Sequence, residues 1–215
     1  MDRIPFAFDI VTQPTVEPLS LDEAKSQCRL DGVNDYDADL TWLIQVAREK
    51  VENDSERAFM TQTRRIWFDQ FPNAVNRGRN LMNPFPTQPW LYGGAMQALE
   101  IPIKPVASIT SIQYLNQAGT WATMDPATYV VDLVSYPVRI TPAYGYIWPI
   151  CRVQINAVQV LCQCGATSAA AVPAMARHAM RLLVGHWFEN REAVGQVPGA
   201  IALGYESLIN GIRWH

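Results

Sequence analysis

Apolar positions recur at helical spacing most clearly after Pro173. Pro173 suits a first helical turn, and Gly195 lies just beyond the other end of the pattern. Steps of three and four residues place the apolar side chains on one stripe. This stripe consists of Ala176, Met180, Leu183, Val184 and Trp187. The pattern predicts a core helix over residues 172–195, with Met180, Leu183, Val184 and Trp187 facing the interior.

Two further helices are predicted within residues 20–60. Ser20 and Glu23 have the spacing of a capping box, and Gly32 is where we expect the first helix to end. The second helix is predicted from apolar residues three and four apart, and we expect its stripe to pack against the core helix. These residues are Leu40, Leu43, Ile44, Ala47 and Val51.

A last amphipathic pattern ends the chain. It predicts a tail helix over residues 200–215 with one apolar stripe. The stripe consists of Ile201, Tyr205, Leu208, Ile209 and Ile212. An apolar stripe at a chain end docks either on its own domain or on another protein.

Between these helices the pattern becomes extended. Residues 61–165 predict a small antiparallel β-region, beginning with a strand near a sheet edge that Pro72 stops. Its last strand alternates, so Val158, Val160, Cys162 and Cys164 should face the core. Together with an extended arm over residues 1–19, these elements predict a single α+β domain over residues 1–215. The predicted fold is a helical bundle with a small inserted antiparallel β-region.

Residues 73–98 interrupt this region with a long loop rich in proline and aromatic residues. Loops of this length in compact domains are usually functional or disordered, and aromatic side chains favour a contact surface. The candidate contact residues are Phe85, Trp90, Leu91 and Tyr92.

Composition narrows the class of protein. With 49% hydrophobic and 17% charged residues, the chain has the composition of a protein that folds. It contains no continuous apolar run of about 18 residues, which a membrane-spanning helix would need, and no signal-peptide pattern. We therefore expect a soluble protein that is not exported. Four cysteines are too few for a disulfide framework, and a net charge of −3 argues against clamping nucleic acid.

Candidate catalytic and metal-binding residues favour structural roles. The aspartates between residues 31 and 39 do not fit a calcium loop, so helix capping is favoured over metal binding. The Cys162-x-Cys164 pair lacks further ligands, and eight residues on one helix, about 12 Å, separate His178 from His186. Glu189 and Glu192 favour a helix-end ion network over an acid/base pair. No metal or cofactor is predicted.

Four stretches of the chain carry a family resemblance. They are EPLSLDEAKSQCRLD at 17–31, MTQTRRIWFDQFP at 60–72, LEIPIKPVASITSIQYLNQAG at 99–119 and VPAMARHAMRLLVGHWFENREAV at 172–194. In their order and spacing they resemble the head–tail connector (adaptor) family of tailed bacteriophages and gene transfer agents. The longer, proline-rich stretch at 73–98 departs from the family pattern.

This resemblance implies a structural protein without catalytic activity. It implies a ring, typically of twelve copies, that binds beneath the portal protein and presents a surface to the next neck connector or tail terminator protein. DNA would pass through the lumen without specific binding, and the location would be the virion neck, after assembly in the host cytoplasm. The C-terminal segment would contact the portal. Its candidate residues are Ile201, Tyr205, Leu208, Ile209, Ile212, Arg213 and Trp214.

Two other functions stay open at this stage. The aromatic residues at 85–92 could form a stacking surface for a glycan or a receptor. A hydrolase would need converging carboxylates, either from Asp35, Asp37 and Asp39 or from Glu189 and Glu192.

Overall fold

The computed structural model describes residues 6–72, 98–190 and 199–213. The chain forms two compact units. One consists of the described parts of Met1–Thr12 and Thr63–Gln163, and the other of those of Gln13–Gln62 and Cys164–His215.

The first unit is built from β-strands. The strands are β1 (Phe6–Thr12), β2 (Gln62–Phe68), β3 (Leu99–Ile101), β4 (Val106–Leu115), β5 (Trp121–Thr123), β6 (Tyr129–Asp132), β7 (Val138–Pro142) and β8 (Val158–Cys164). They form a five-stranded sheet in the order β1-β2-β8-β4-β5 and a three-stranded sheet in the order β3-β7-β6. Both sheets are antiparallel.

The prediction of a helical bundle with a small inserted β-region is wrong. The described residues contain four helices and two antiparallel sheets, and the sheets form a compact unit of their own. The sequence pattern underestimates them because several strands are short and only partly buried. In β4, for example, most side chains between Val106 and Leu115 are exposed or half-buried, so hydrophobic alternation is weak.

The N-terminal arm accounts for part of this difference. Its residues Phe6–Thr12 form β1, which pairs antiparallel with β2, aligning Phe8 with Ile66. β1 therefore occupies the sheet edge, and β2, which was predicted to lie near an edge, is the strand next to it. About fifty residues separate the two strands, so no local pattern reports their pairing. The prediction for β8 is confirmed, because Val158, Val160, Cys162 and Cys164 are all buried.

The second unit is helical. Its helices are α1 (Leu21–Cys28), α2 (Asp37–Ser55), α3 (Ala174–Glu189) and α4 (Gly199–Arg213). The predicted packing of α2 against the core helix α3 is confirmed. The whole predicted α2 stripe is buried, as are Met180 and Val184 of α3, whereas Leu183 and Trp187 are partly buried against the same cluster. Burying such a stripe is the main favourable contribution to helix packing.

The ends of the first two helices differ partly from the predicted ones. The capping box of α1 is confirmed, since the Glu23 backbone N–H donates to Ser20 Oγ and the Ser20 N–H donates to Glu23. α1 ends at Cys28, where Arg29 adopts a left-handed backbone conformation at φ 57°, and not at Gly32. Tyr36 precedes α2 without a side-chain capping hydrogen bond, so the predicted aspartate cap is wrong at that position.

A buried polar network joins α2 to the residues that follow it. Glu52 Oε1 accepts hydrogen bonds from the Phe59 N–H and from Gln62 Nε2, both at 2.7 Å. Glu52 Oε2 accepts from Arg48 Nη1 at 3.2 Å, and Arg48 Nε donates to Glu17 Oε2 at 2.8 Å. Because Arg48 and Glu52 are each 3% exposed, these bonds satisfy charges that would otherwise be costly to bury.

Candidate partner-contact surfaces

The tail helix α4 packs on its own helical unit. Ile209 and Ile212 are buried in the helical core, and Tyr205 and Leu208 are partly buried against it. Their spacing places all four on the side of α4 that faces α2 and α3. The apolar stripe predicted to contact a portal protein is thus used, in this structure, to hold α4 in place.

Polar bonds complete the attachment of α4 to the end of α2. The Tyr205 hydroxyl donates to Asp54 Oδ2 at 2.7 Å, and Arg213 Nε donates to the Asp54 carbonyl oxygen at 2.7 Å. Arg57 Nη1 donates to the Ile212 carbonyl oxygen at 2.9 Å. Lys50 Nζ lies 2.7 Å from Asp54 Oδ2 and 2.8 Å from Oδ1. Asp54 is therefore the common partner of three side chains from two helices.

The electrostatics of this cluster follow from its partial burial. Burial alone raises the pKa of Asp54, but hydrogen bonds from Lys50 and Tyr205 outweigh it and lower the pKa below its ordinary value. Burial and the hydrogen bond to the Asp54 carboxylate together raise the pKa of Tyr205 far above its ordinary value. The Tyr205 phenol thus stays protonated and the Asp54 carboxylate stays ionised across the physiological pH range.

A shallow cavity of about 340 Å³ lies beside the cluster. It is lined by Asp54, Tyr205, Glu206, Ile209, Asn210 and Arg213. Glu206, Asn210 and Arg213 are exposed, so they form the side of α4 that a partner could reach. Their side chains are polar, in contrast to the apolar stripe on which the sequence prediction concentrated.

Several predicted contact residues lie outside the described part of the chain. This applies to Trp214 and to the aromatic residues Phe85, Trp90, Leu91 and Tyr92. Ile201 lies within α4, but its side chain is not described. Their roles remain predictions.

The residues considered above as metal ligands or catalytic groups form no common site in the described part of the chain. These residues contain no group of three or more His, Cys, Asp and Glu side chains that could hold a metal ion. Asp37 pairs with Lys25 Nζ at 2.7 Å, which gives it a structural role at the start of α2. Cys162 and Cys164 are both buried, in agreement with the prediction of packed core thiols. Glu192, half of the proposed carboxylate pair, lies outside the described residues.

Asp54 and Lys50 are not among the contact residues predicted from the sequence. Their separation of four residues on a helix is a signal for an ion pair. The same spacing could not reveal that Tyr205 and Arg213, about 150 residues later, converge on Asp54.

Comparison with known proteins gives structural matches without sequence matches. No protein-family model matches the sequence, and no curated protein sequence matches it. A chain in the virion of a native gene transfer agent (GTA) particle has a similar structure, with a TM-score of 0.70, 19% identity and coverage of 96% of this chain and 94% of that chain.

Two neck structures give comparable matches. A chain in the neck of an empty GTA particle computed with C6 symmetry has a TM-score of 0.66 at 21% identity, covering 96% of this chain and 95% of that chain. A chain in the neck of a native GTA particle computed with C12 symmetry has a TM-score of 0.61 at 18% identity, covering 96% and 94%. Among the described residues, no helix has the length and apolarity needed to cross a membrane. Across nearly its whole length, the fold of this chain is therefore similar to that of chains found in gene transfer agent particles.

Proposed function

We propose that this chain is a structural head–tail connector in the neck of a tailed-phage or gene-transfer-agent particle. The observation that carries the proposal is the similarity of fold to GTA particle chains over 96% of this chain. In this role, copies of the chain form a ring of twelve below the portal protein and present a surface to the next neck or tail protein. The role makes and breaks no covalent bond.

The net charge suits a ring through which DNA passes. Each chain carries a net charge of −3, and repetition around a ring multiplies this charge. Net negative charge disfavours the phosphate neutralisation that accompanies DNA binding. DNA would then slide through the lumen without being held.

The portal contact is proposed to lie on α4. Ile209 and Ile212 anchor the helix, which leaves the exposed side chains of Glu206, Asn210 and Arg213 available to a partner. Tyr205 and Leu208 would lie at the border of this surface, since both are partly buried against the helical core.

The proposal is tested by deleting the gene in the producing cell and examining the particles by electron microscopy. We expect DNA-filled heads that lack tails, and an antibody against the restored full-length chain should label the neck. Joined particles after deletion, or label located away from the neck, would refute the proposal.

A paired substitution tests the α4 surface separately. Glu206→Arg combined with Asn210→Arg should reduce head–tail joining at least tenfold, while the far-UV circular dichroism stays unchanged. The matched control is Gln45→Arg combined with Glu49→Arg, two exposed positions on α2 whose replacement changes the charge by the same amount. Equal loss in both variants would show that added charge, and not the α4 surface, causes the defect.

A further inference from the structure

The chain passes between its two units at three places. These passages follow Thr12, Gln62 and Gln163. The ends of the passages that belong to the helical unit are defined as the connecting segments, which are residues 13–20, 56–62 and 164–166. Whatever holds the connecting segments in place also fixes where the chain leaves the helical unit.

Two of the connecting segments are bonded directly to each other. The Ala166 N–H donates to the Phe59 carbonyl oxygen at 2.9 Å, and the Ala166 carbonyl oxygen accepts from the Thr61 N–H at 3.0 Å. The same carbonyl oxygen accepts from the Thr61 hydroxyl at 2.9 Å, and Met60 forms a β-bridge with Ala166. These two segments therefore cannot separate without breaking several hydrogen bonds.

Two buried side chains of α2 connect this pair of segments to the third. Glu52 Oε1 accepts from the Phe59 N–H and from Gln62 Nε2. Glu52 Oε2 accepts from Arg48 Nη1, and Arg48 Nε donates to Glu17 in the first connecting segment. Arg48 and Glu52 are each 3% exposed and Gln62 is 1% exposed, so bulk water does not compete for these hydrogen bonds.

The bonds of this network depend on one another. A carboxylate accepts hydrogen bonds on both of its oxygens, and the Glu52 carboxylate uses both. Arg48 is a buried cation, and removing one partner of a buried ion pair leaves charge without compensation. If Glu17 moves away, Arg48 no longer holds Glu52 firmly in the orientation in which it accepts from Phe59 and Gln62. Movement of one connecting segment therefore weakens the bonds of the other two.

We propose that the network of Arg48 and Glu52 is a joint that makes the three connecting segments open and close as one cooperative unit. Proteins open locally in such contiguous units, at free energies below that of global unfolding. The joint makes the order of all three chain passages depend on two side chains of α2. This inference concerns the helical unit itself and is independent of the connector function.

Hydrogen exchange of the full-length chain, followed residue by residue by NMR, tests the joint. The reporting amides are those of Phe59, Thr61 and Ala166, which donate the hydrogen bonds described above. The variant Glu17→Gln keeps the shape of the side chain but removes the negative charge beside Arg48 Nε. We expect all three amides to exchange at least about fivefold faster, the effect of losing roughly one hydrogen bond, although Glu17 lies in another segment.

Two references separate this coupling from general destabilisation. The amides of Met180 and Val184, in the buried part of α3, should keep their exchange rates. The matched control is Glu49→Gln, because Glu49 Oε1 also faces Arg48, 3.7 Å from Nη2, but the Glu49 side chain is 51% exposed. This control should leave all of these amides unchanged, since exposed ion pairs contribute little. Equal acceleration in α3, or unchanged exchange of the reporting amides in Glu17→Gln, would refute the joint.

A second variant changes the centre of the network. Glu52→Gln replaces two acceptor oxygens by one oxygen and one NH2 donor, so either Arg48 or the pair of Phe59 and Gln62 loses its acceptor. We expect a larger acceleration of the reporting amides than in Glu17→Gln. If this variant does not fold, Gln62→Met removes the bond from Gln62 to Glu52 at similar side-chain volume and should accelerate the same amides. Acceleration confined to Phe59 would show that the segments open separately and would overturn the inference.

Discussion

Replacing Gly165 by alanine tests the close approach of this residue to the Met60 backbone within the helical unit. Gly165 has φ +89°, and a Cβ atom there would lie 2.1 Å from the Met60 carbonyl oxygen and 2.4 Å from its carbonyl carbon. Met60 is buried, so its backbone has little room to move. The neighbouring Ala166 bonds to this stretch, donating to the Phe59 carbonyl oxygen at 2.9 Å and accepting from the Thr61 N–H at 3.0 Å.

The expected cost has two parts. A left-handed backbone conformation costs an alanine about 1–2 kcal/mol. Moving the Met60 backbone to relieve the clash also weakens the hydrogen bonds of Ala166, each of which contributes about 1 kcal/mol. Gly165→Ala should therefore lower the free energy of unfolding by roughly 3–4 kcal/mol.

Gly32→Ala provides the matched control in the same unit. Gly32 has φ +79°, but a Cβ atom there would meet nothing within 4 Å. This variant should lose only the conformational part, about 1–2 kcal/mol. Urea unfolding followed by far-UV circular dichroism measures both free energies. Equal losses in the two variants would refute the close approach of Gly165 to Met60 as the dominant cost.

Three further predictions concern the helical unit. Ile212→Ala should lower the free energy of unfolding by about 2–4 kcal/mol because Ile212 is 2% exposed. The control Ser207→Ala, at an exposed position of α4, should change this free energy little when both are measured by urea titration. Equal effects in the two variants would contradict the docking of α4. Glu52→Ala leaves Arg48 buried with one partner fewer and should cost roughly 3–5 kcal/mol, and a loss below about 1 kcal/mol would argue against the buried network. The folded-state pKa of Tyr205 lies above the ordinary value of 10, so its stabilising contribution is complete below pH 10 and is lost as pH rises further. Stability measured from pH 9 to pH 11 should therefore fall more steeply in the wild-type chain than in Tyr205→Phe, and parallel curves would contradict the bond to Asp54.

The helical half of the fold was largely predictable from the sequence. Helical hydrogen bonds and side-chain stripes are local, so the spacing from Leu40 to Val51 identified the buried face of α2, and Ser20 with Glu23 identified the start of α1. Errors arose where a single residue sets a boundary. Arg29 ends α1 in a conformation more often adopted by glycine, so Gly32 was a misleading signal.

The β-sheet half was predictable only in part. Strands such as β8 were recognisable because one face is fully buried, but the pairing of β1 with β2 joins residues far apart in sequence. The exposed apolar residues between β7 and β8 were missed because Tyr144, Ile147 and Ile150 follow no regular period and lie among glycine and proline. Only their exposure distinguishes such residues from core residues.

Which helices form, and which of their faces are apolar, follows from local sequence, because these properties depend on residues within one or two helical turns. What each face contacts depends on the packing of the folded chain. It placed the stripe of α4 against α2 and α3, brought Tyr205 and Arg213 to Asp54, and left the residues between β7 and β8 exposed. Apolar burial has no preferred direction, so an apolar pattern predicts that a surface will be covered but not which chain segment covers it.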